Sequence, residues 1–173
     1  KASATSSGNN IQLSLYVFDH DIEKAIDNTN ILEIDTNKIA KYIKPRGATR
    51  CYDCIVAAAS DLQKQSFDSA MFIVMTDGHD TDSECDHTLV KQTLEKLQNE
   101  HKVQCIFMAA NIGNAQSVGE SLGFSQNASL TFTQHAATNA FTSLRQMSQR
   151  VWRGDTAAFT QHERQSSLRS VTQ

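Results

Sequence analysis

The chain has 173 residues, of which 39% are hydrophobic and 20% charged, as expected for one folded domain and not for a disordered chain. Its formal net charge of −3 argues against nucleic acid or an anionic membrane as a partner, because both require concentrated positive charge. The apolar runs, such as residues 71–75, are far shorter than the roughly 20 residues that span a bilayer.

The predicted elements of the first half are a strand at 11–18, a turn at 19–21, a returning strand at 22–34, a short helix at 38–43, a loop around Pro45 and Gly47, and a helix at 51–65. Those of the second half are a strand at 70–75, an acidic loop at 76–84, a helix at 86–101, a strand at 103–109, a loop at 111–114, a short helix at 115–122, a weaker strand at 129–133 and a helix at 136–152.

This order predicts an α/β fold with three layers, in which helices cover both faces of a mostly parallel, Rossmann-like sheet and the first hairpin lies at one edge. We expect one domain over residues 1–164 and a polar C-terminal tail over residues 165–173. Trp152, at the end of the last predicted helix, is interpreted as a core or domain-closing anchor.

Four cysteines, at positions 51, 54, 85 and 105, do not have the spacing of a disulfide framework, which favours a reducing intracellular compartment over secretion. Cys51 and Cys54 form a Cys-x-x-Cys pair that could suit zinc or redox chemistry. No second pair stands at zinc-finger spacing, so packing within a helix is the favoured interpretation.

Polar side chains follow the predicted strand ends, where ligands bind in parallel sheets. Asp77 comes directly after the strand at 70–75, and Gly78 permits a sharp turn there. Thr49 precedes the helix at 51–65. A hydroxyl and a carboxylate at one edge suit a hard cation such as Mg²⁺. A plain strand-ending turn at Asp77 is the alternative.

The stretches GATRCYDCI at 47–55 and FIVMTDG at 72–78 resemble the von Willebrand factor A family, and the similarity extends over roughly residues 11–164. That family's metal-ion-dependent adhesion site uses a threonine ahead of a helix and a Thr-Asp-Gly turn. The resemblance implies that Thr49 and Asp77 bind Mg²⁺, or Mn²⁺ or Ca²⁺, directly or through water. It also implies a partner-binding rim made of Asp19, Arg46, Arg50, His79, Asp80 and Asn111.

The third segment of the family site, Asp-x-Ser-x-Ser after a first strand, has no counterpart in the sequence. The resemblance implies either that this strand belongs to a stretch ahead of Lys1 or that another segment takes its place. Residues 105–111, 115–123, 141–153 and 159–164 are similar to a bacterial and phage branch of the family, so a viral particle is a conceivable location.

The resemblance implies a protein-interaction module that binds an acidic side chain of another protein through the metal, with a scaffold subunit of a larger assembly as a second form. The alternative is a Mg²⁺-dependent hydrolase or phosphoryl-transfer enzyme that uses Asp77 and Asp80 with Arg46 and Arg50. No Gly-rich phosphate loop supports the enzyme, so we expect no catalysis. The other acidic residues of the loop predict a solvated surface, with Ser83 or Asp86 capping the next helix.

Overall fold

The computed structural model of the protein describes residues 10–42 and 47–169. The elements are β1 Gln12–Phe18, β2 Ile22–Asn30, α1 Thr36–Tyr42, α2 Cys51–Gln63, β3 Met71–Thr76, α3 His87–His101, β4 Gln104–Ala110, α4 Ala115–Ser121, β5 Ser129–Phe132, α5 Ala137–Val151 and α6 Gln161–Ser166. Short 3₁₀ turns, Gln126–Ala128 and Gln134–Ala136, flank β5. The α/β class and the predicted order of elements up to α5 are confirmed.

The strands form two separate sheets. β1 and β2 form an antiparallel hairpin in which Phe18 pairs with Ile22. β3, β4 and β5 form a parallel sheet in that order, with Ile73 beside Ile106. The sequence predicts one sheet with the hairpin at its edge, whereas no ladder joins β1 to β3 within residues 10–42 and 47–169.

β4 lies between two apolar clusters, because successive side chains of a strand point to opposite faces. Its odd-numbered residues, Cys105 to Ala109, pack with apolar side chains of α2, α3 and the start of α4. Its even-numbered residues, Ile106 to Ala110, pack with β5 and α5. The uninterrupted apolar sequence of β4 therefore reflects burial on both faces.

The segment after α5 covers the outer edge of β5. The Arg164 guanidinium donates to the backbone carbonyls of Ser129 at 2.6 Å and Asn127 at 2.8 Å. The buried hydroxyl of Ser167 donates to the carbonyl of Thr131 at 2.7 Å. Side chains of this segment thus bond to the edge of β5 that has no neighbouring strand among the described residues.

The same segment is held by an ion pair. Arg150 of α5 donates two hydrogen bonds, both at 2.8 Å, to the buried carboxylate of Glu163. Glu163 also accepts from the backbone N–H of Thr160, whose hydroxyl accepts from the N–H of Glu163, and this reciprocal capping box begins α6.

Three further predictions differ from the structure. β2 ends at Asn30 and not at residue 34, because the chain leaves the ladder there. The anchor role of Trp152 is wrong, since its side chain is 40% exposed at the end of α5. The polar tail does not begin at 165: Ser167 is buried, and residues 170–173 lie outside the described residues.

None of the described helices is both long enough and apolar enough to cross a bilayer.

Asp86, one of the two predicted caps, begins α3, with its carboxylate accepting from the N–H of Leu89 at 2.9 Å.

Candidate functional site

The turn that carries Asp77 follows the carboxyl end of β3. The Thr76 hydroxyl donates to the carbonyl of Gly78 at 2.8 Å and accepts from the N–H of Gly78 at 3.2 Å. These two bonds fix the turn, and the Asp77 side chain between them is exposed. A carboxylate is thereby presented to solvent from a hydrogen-bonded turn.

Thr49 lies against the same turn. Its hydroxyl oxygen is 3.8 Å from the position that a Cβ atom on Gly78 would occupy. The N–H of Thr49 donates to the Thr81 hydroxyl, and the N–H of Thr81 donates to the carbonyl of Thr49, both at 3.0 Å. The loop before α2 and the loop after β3 are thus joined, and the Thr49 hydroxyl lies next to the residue that follows Asp77.

The turn after β1 reaches this place as well. The N–H of Arg50 donates to the carbonyl of Asp19 at 2.9 Å. The Asp19 carboxylate accepts from the N–H of Asp21 at 2.9 Å, which closes the turn. Three loops that are distant in sequence therefore meet where β1 and β3 end.

Asp19, His20 and Asp21 form a cluster that sequence reasoning missed as a metal site. His20 Nδ1 is 3.3 Å from Asp19 Oδ1, and His20 Nε2 is 3.6 Å from Asp21 Oδ2. One possible ligand atom from each residue lies within 4.8 Å of the others, and no other group of three His, Cys, Asp or Glu residues in the described ranges does so. The signal in the sequence is the Asp-His-Asp triplet itself, which predicts a turn and, through the family resemblance, places Asp19 in the partner-binding rim.

Asp80, predicted for the rim, instead helps to begin α2. Its carboxylate accepts from the N–H of Tyr52 at 3.1 Å and from the Ser83 hydroxyl at 2.6 Å. Arg50, in the cap position of α2, makes no side-chain cap. Asp80 therefore satisfies an N–H group that the start of a helix otherwise leaves unbonded.

Arg50, also predicted for the rim, is paired with Asp53. Its Nε and Nη2 atoms donate to Asp53 Oδ2 at 3.0 and 2.7 Å. Asp53 also accepts from the N–H groups of Glu84 and Cys85, each at 3.0 Å. Partial burial opposes ionisation of Asp53, but these donors outweigh it and hold its pKa well below the usual range. Asp53 thus fixes the backbone at 84–85, and the Arg50 guanidinium is paired with it.

The remaining predicted rim residues are placed as follows. Arg46 lies outside the described residues. His79 is exposed and lines a small cleft together with Asp80 and Ile112, so the loop after β4 borders the same edge. Asn111 begins that loop with a positive φ of 57°, and its N–H donates to the carbonyl of Phe132 at 2.9 Å. Among the described residues, no backbone hydrogen bond joins Asn111 to Thr49 or Asp77.

Cys51 and Cys54 are buried in the first turns of α2. Burial raises the pKa of each thiol to about 12. A reactive or metal-binding cysteine needs the opposite shift, since the thiolate is the active form. This pair therefore has the character of packed side chains, and all four cysteines are free thiols.

No protein-family model matches the chain. No curated protein matches its sequence at a significant level either.

Proposed function

We propose that the protein is a von Willebrand factor A-like module that binds another protein through a divalent cation at this edge. The observation that carries the proposal is the meeting of three loops at the ends of β1 and β3, with the Thr49 hydroxyl against the turn that carries Asp77. We also propose the three-layer arrangement of that family, which is supported by the two clusters on opposite faces of β4.

The donors at this edge fit a hard cation. Thr49 offers a hydroxyl and Asp77 an exposed carboxylate, and both provide oxygen. Mg²⁺ commonly takes only one or two carboxylates and keeps several waters, so it does not need a complete cage of protein ligands. Thr49 and Asp77 would hold the ion, and a carboxylate from the partner would replace one of the waters.

The neighbouring cluster of Asp19, His20 and Asp21 has a different chemistry. It includes an imidazole, which suits transition metals better than Mg²⁺. The two sets of ligands therefore make different predictions about which metal binds and which substitutions prevent binding.

The geometry favours binding over catalysis. The enzyme alternative requires Asp80 as a second acid or base beside Asp77. The Asp80 carboxylate accepts hydrogen bonds from Tyr52 and Ser83 at the start of α2, which gives it a structural task. A scaffold subunit remains a form of the binding proposal, in which the same edge packs against its partner.

Calorimetric titration with MgCl₂ tests the metal site. We expect saturable binding by the unchanged protein, weakened more than about tenfold by Asp77→Asn and by Thr49→Val, because each substitution removes an oxygen ligand. Asp82→Asn, which removes an equal charge from an exposed position in the same loop, is the matched control and leaves binding unchanged. Loss of Mg²⁺ binding in His20→Ala but not in Asp77→Asn would contradict the proposal.

The open coordination position can be tested with Mn²⁺ as the probe. Bound Mn²⁺ enhances the relaxation rate of water protons. We expect this enhancement to fall when acetate, a mimic of an acidic side chain, replaces a water bound to the ion. Sodium chloride at equal ionic strength is the control. A bound ion whose water relaxation does not respond to acetate would contradict binding of an acidic partner side chain.

A further inference from the structure

Thr49 stands in a stretch of chain that no regular element holds. Residues 48–50 belong to neither a helix nor a strand, and α2 begins only at Cys51. A side chain on such a stretch is a poor metal ligand unless its backbone is fixed, because an ion binds well only where its ligands are already in place. The position of the Thr49 hydroxyl therefore depends on what the Thr49 backbone contacts.

Both backbone polar groups of Thr49 bond to one residue, Thr81, in the loop after β3. The N–H of Thr49 donates to the Thr81 hydroxyl, and the N–H of Thr81 donates to the Thr49 carbonyl, each at 3.0 Å. The peptide after Thr49 is held a second time, since the N–H of Arg50 donates to the carbonyl of Asp19 at 2.9 Å. Thr81 therefore fixes the peptide groups on either side of the Thr49 side chain.

Thr81 is itself placed by its neighbours in the loop. Asp80 accepts from the N–H of Tyr52, and the hydroxyl of Ser83 accepts from the N–H of Asp53, each at 3.1 Å. These two bonds satisfy N–H groups in the first turn of α2 and dock the loop on the helix. Thr81 lies between them in the chain, so the docked loop determines where its hydroxyl lies.

The capping of α2 does not require Thr81. Arg50 is the cap residue of that helix and Thr49 precedes it, so the bond to the Thr49 N–H lies outside the first turn. The side chain of Thr81 is also exposed, so it adds little to the packing of the core. What the Thr81 hydroxyl does contribute is the position of Thr49.

We propose that Thr81 is a positioning residue for the cation site: by holding the backbone of Thr49 on both sides, it places the Thr49 hydroxyl against the turn that carries Asp77. The inference rests on the proposed function and adds its regulation, because the affinity for the cation then depends on whether the loop at 80–83 is docked on α2. In this arrangement Thr81 acts through Thr49 and does not bind the ion.

Calorimetric titration of Thr81→Val with MgCl₂ tests the proposal. Valine keeps the shape of the side chain and removes the hydroxyl that accepts from Thr49. We expect the affinity for Mg²⁺ to fall about tenfold, the lower end for residues that orient a metal ligand. Thr81→Ser keeps the hydroxyl and should restore the affinity. Thr93→Val, which removes an exposed hydroxyl bonded within α3, is the matched control and leaves the affinity unchanged.

A double-mutant cycle shows whether Thr81 acts through Thr49. The probe is Mn²⁺, whose effect on water-proton relaxation reports binding that is too weak for calorimetry. In protein that already carries Thr49→Val the ligand hydroxyl is gone, so Thr81→Val should cause no further loss of affinity. A loss as large as in the unchanged background would mean that Thr81 acts independently of Thr49 and would overturn the proposal.

A measurement without metal tests the position of Thr49 directly. In EDTA, amide hydrogen exchange followed by NMR should be more than about tenfold faster at the Thr49 N–H in Thr81→Val than in the unchanged protein. The N–H of Tyr52, which is bonded to Asp80, should exchange as before. Faster exchange at both amides would mean that the substitution undocks the whole loop, and would overturn a role specific to Thr49.

The remaining outcomes separate this inference from the proposed function. Absence of Mg²⁺ binding by the unchanged protein would overturn the proposed function and this inference with it. Equal Mg²⁺ affinity of the unchanged protein and of Thr81→Val would overturn this inference alone. So would a Thr49 amide that exchanges at the same rate in both proteins.

Discussion

The two edges of the parallel sheet are treated in opposite ways. At β5, Arg164 and Ser167 donate to backbone carbonyls of the strand and of the turn before it. At β3, no described side chain takes that place, and Ile73 is partly exposed. The β5 edge is hydrogen-bonded by side chains of its own chain. The β3 edge has no such partner among the described residues.

The two edges differ in what is needed to cover them. A short strand such as β5 can be closed by one guanidinium and one hydroxyl, because each carbonyl needs only a donor. A longer apolar strand such as β3 also has side chains to cover, which only another apolar segment can do. We therefore expect the stability of the protein to depend strongly on the β5 edge and weakly on the side chains at the β3 edge.

The largest expected effect is on the free energy of unfolding, and it distinguishes two isoleucines that are paired across the sheet, Ile73 and Ile106. Ile106→Ala removes fully buried methyl groups and should lower the free energy of unfolding by about 2–5 kcal/mol. Ile73→Ala, at its 38% exposed neighbour, should lower it by about 1 kcal/mol or less. Urea unfolding measures both values. Equal losses would mean that Ile73 is covered in solution and would break the comparison.

The next effect concerns the guanidinium at the β5 edge. Arg164→Ala leaves carbonyls of Ser129 and Asn127 without their charged donor and should cost about 2–3 kcal/mol in thermal or urea unfolding. Arg153→Ala, which removes the same charge from an exposed position, should change stability by less than about 0.5 kcal/mol.

Arg164→Lys sharpens this prediction, because lysine keeps the charge and loses the planar fork that reaches several carbonyls. We expect it to restore only part of the loss. Full restoration would show that charge, and not hydrogen bonding along the edge, stabilises β5.

The smallest effect is a dependence on pH. Burial raises the pKa of Glu163, but hydrogen bonds from Arg150 and from the N–H of Thr160 outweigh this and hold the pKa below its usual value. The stability that the ionised carboxylate contributes is therefore present above about pH 4.3, the ordinary value for glutamate, and is lost as the pH falls through the lower folded value.

Thermal unfolding across this acid range measures the effect. Glu163→Gln should flatten the loss of stability on acidification, while Glu95→Gln, an exposed control on α3, should leave it as it is. An unchanged acid dependence in Glu163→Gln would show that this ion pair does not contribute to the strength of the β5 edge.

Local patterns in the sequence predicted much of the fold. The apolar run at 103–109 predicted β4, and Asp86 predicted the start of α3, because burial and capping leave their signals within a few residues. The sequence turn Thr76-Asp77-Gly78 likewise predicted a carboxylate at a strand end. The capping box of Thr160 and Glu163 is just as local, although no helix is predicted there from the sequence.

Long-range contacts could not be predicted in the same way. Asp80 accepts from Tyr52, 28 positions earlier, so its sequence neighbours suggested only an acidic loop. The division into two sheets depends on which strands pair with each other. The pattern of apolar residues in β1 and β3 does not indicate the pairing partner of either strand. The exposure of Trp152 depends on where the following chain runs, and that too is set by distant contacts.

The start of α2 is capped by side chains from the loop after β3, and this has a consequence for the order of folding. The N–H groups of its first turn bond to Asp80 and Ser83, which lie beyond β3 in the chain, so we expect the turn to be completed only after that strand is in place. Closing so long a loop is entropically costly before the sheet exists. We therefore expect substitutions at Asp80 to speed unfolding and leave the folding rate unchanged, as for contacts that form after the transition state. Thr49 would then reach its final place as one of the last steps in folding.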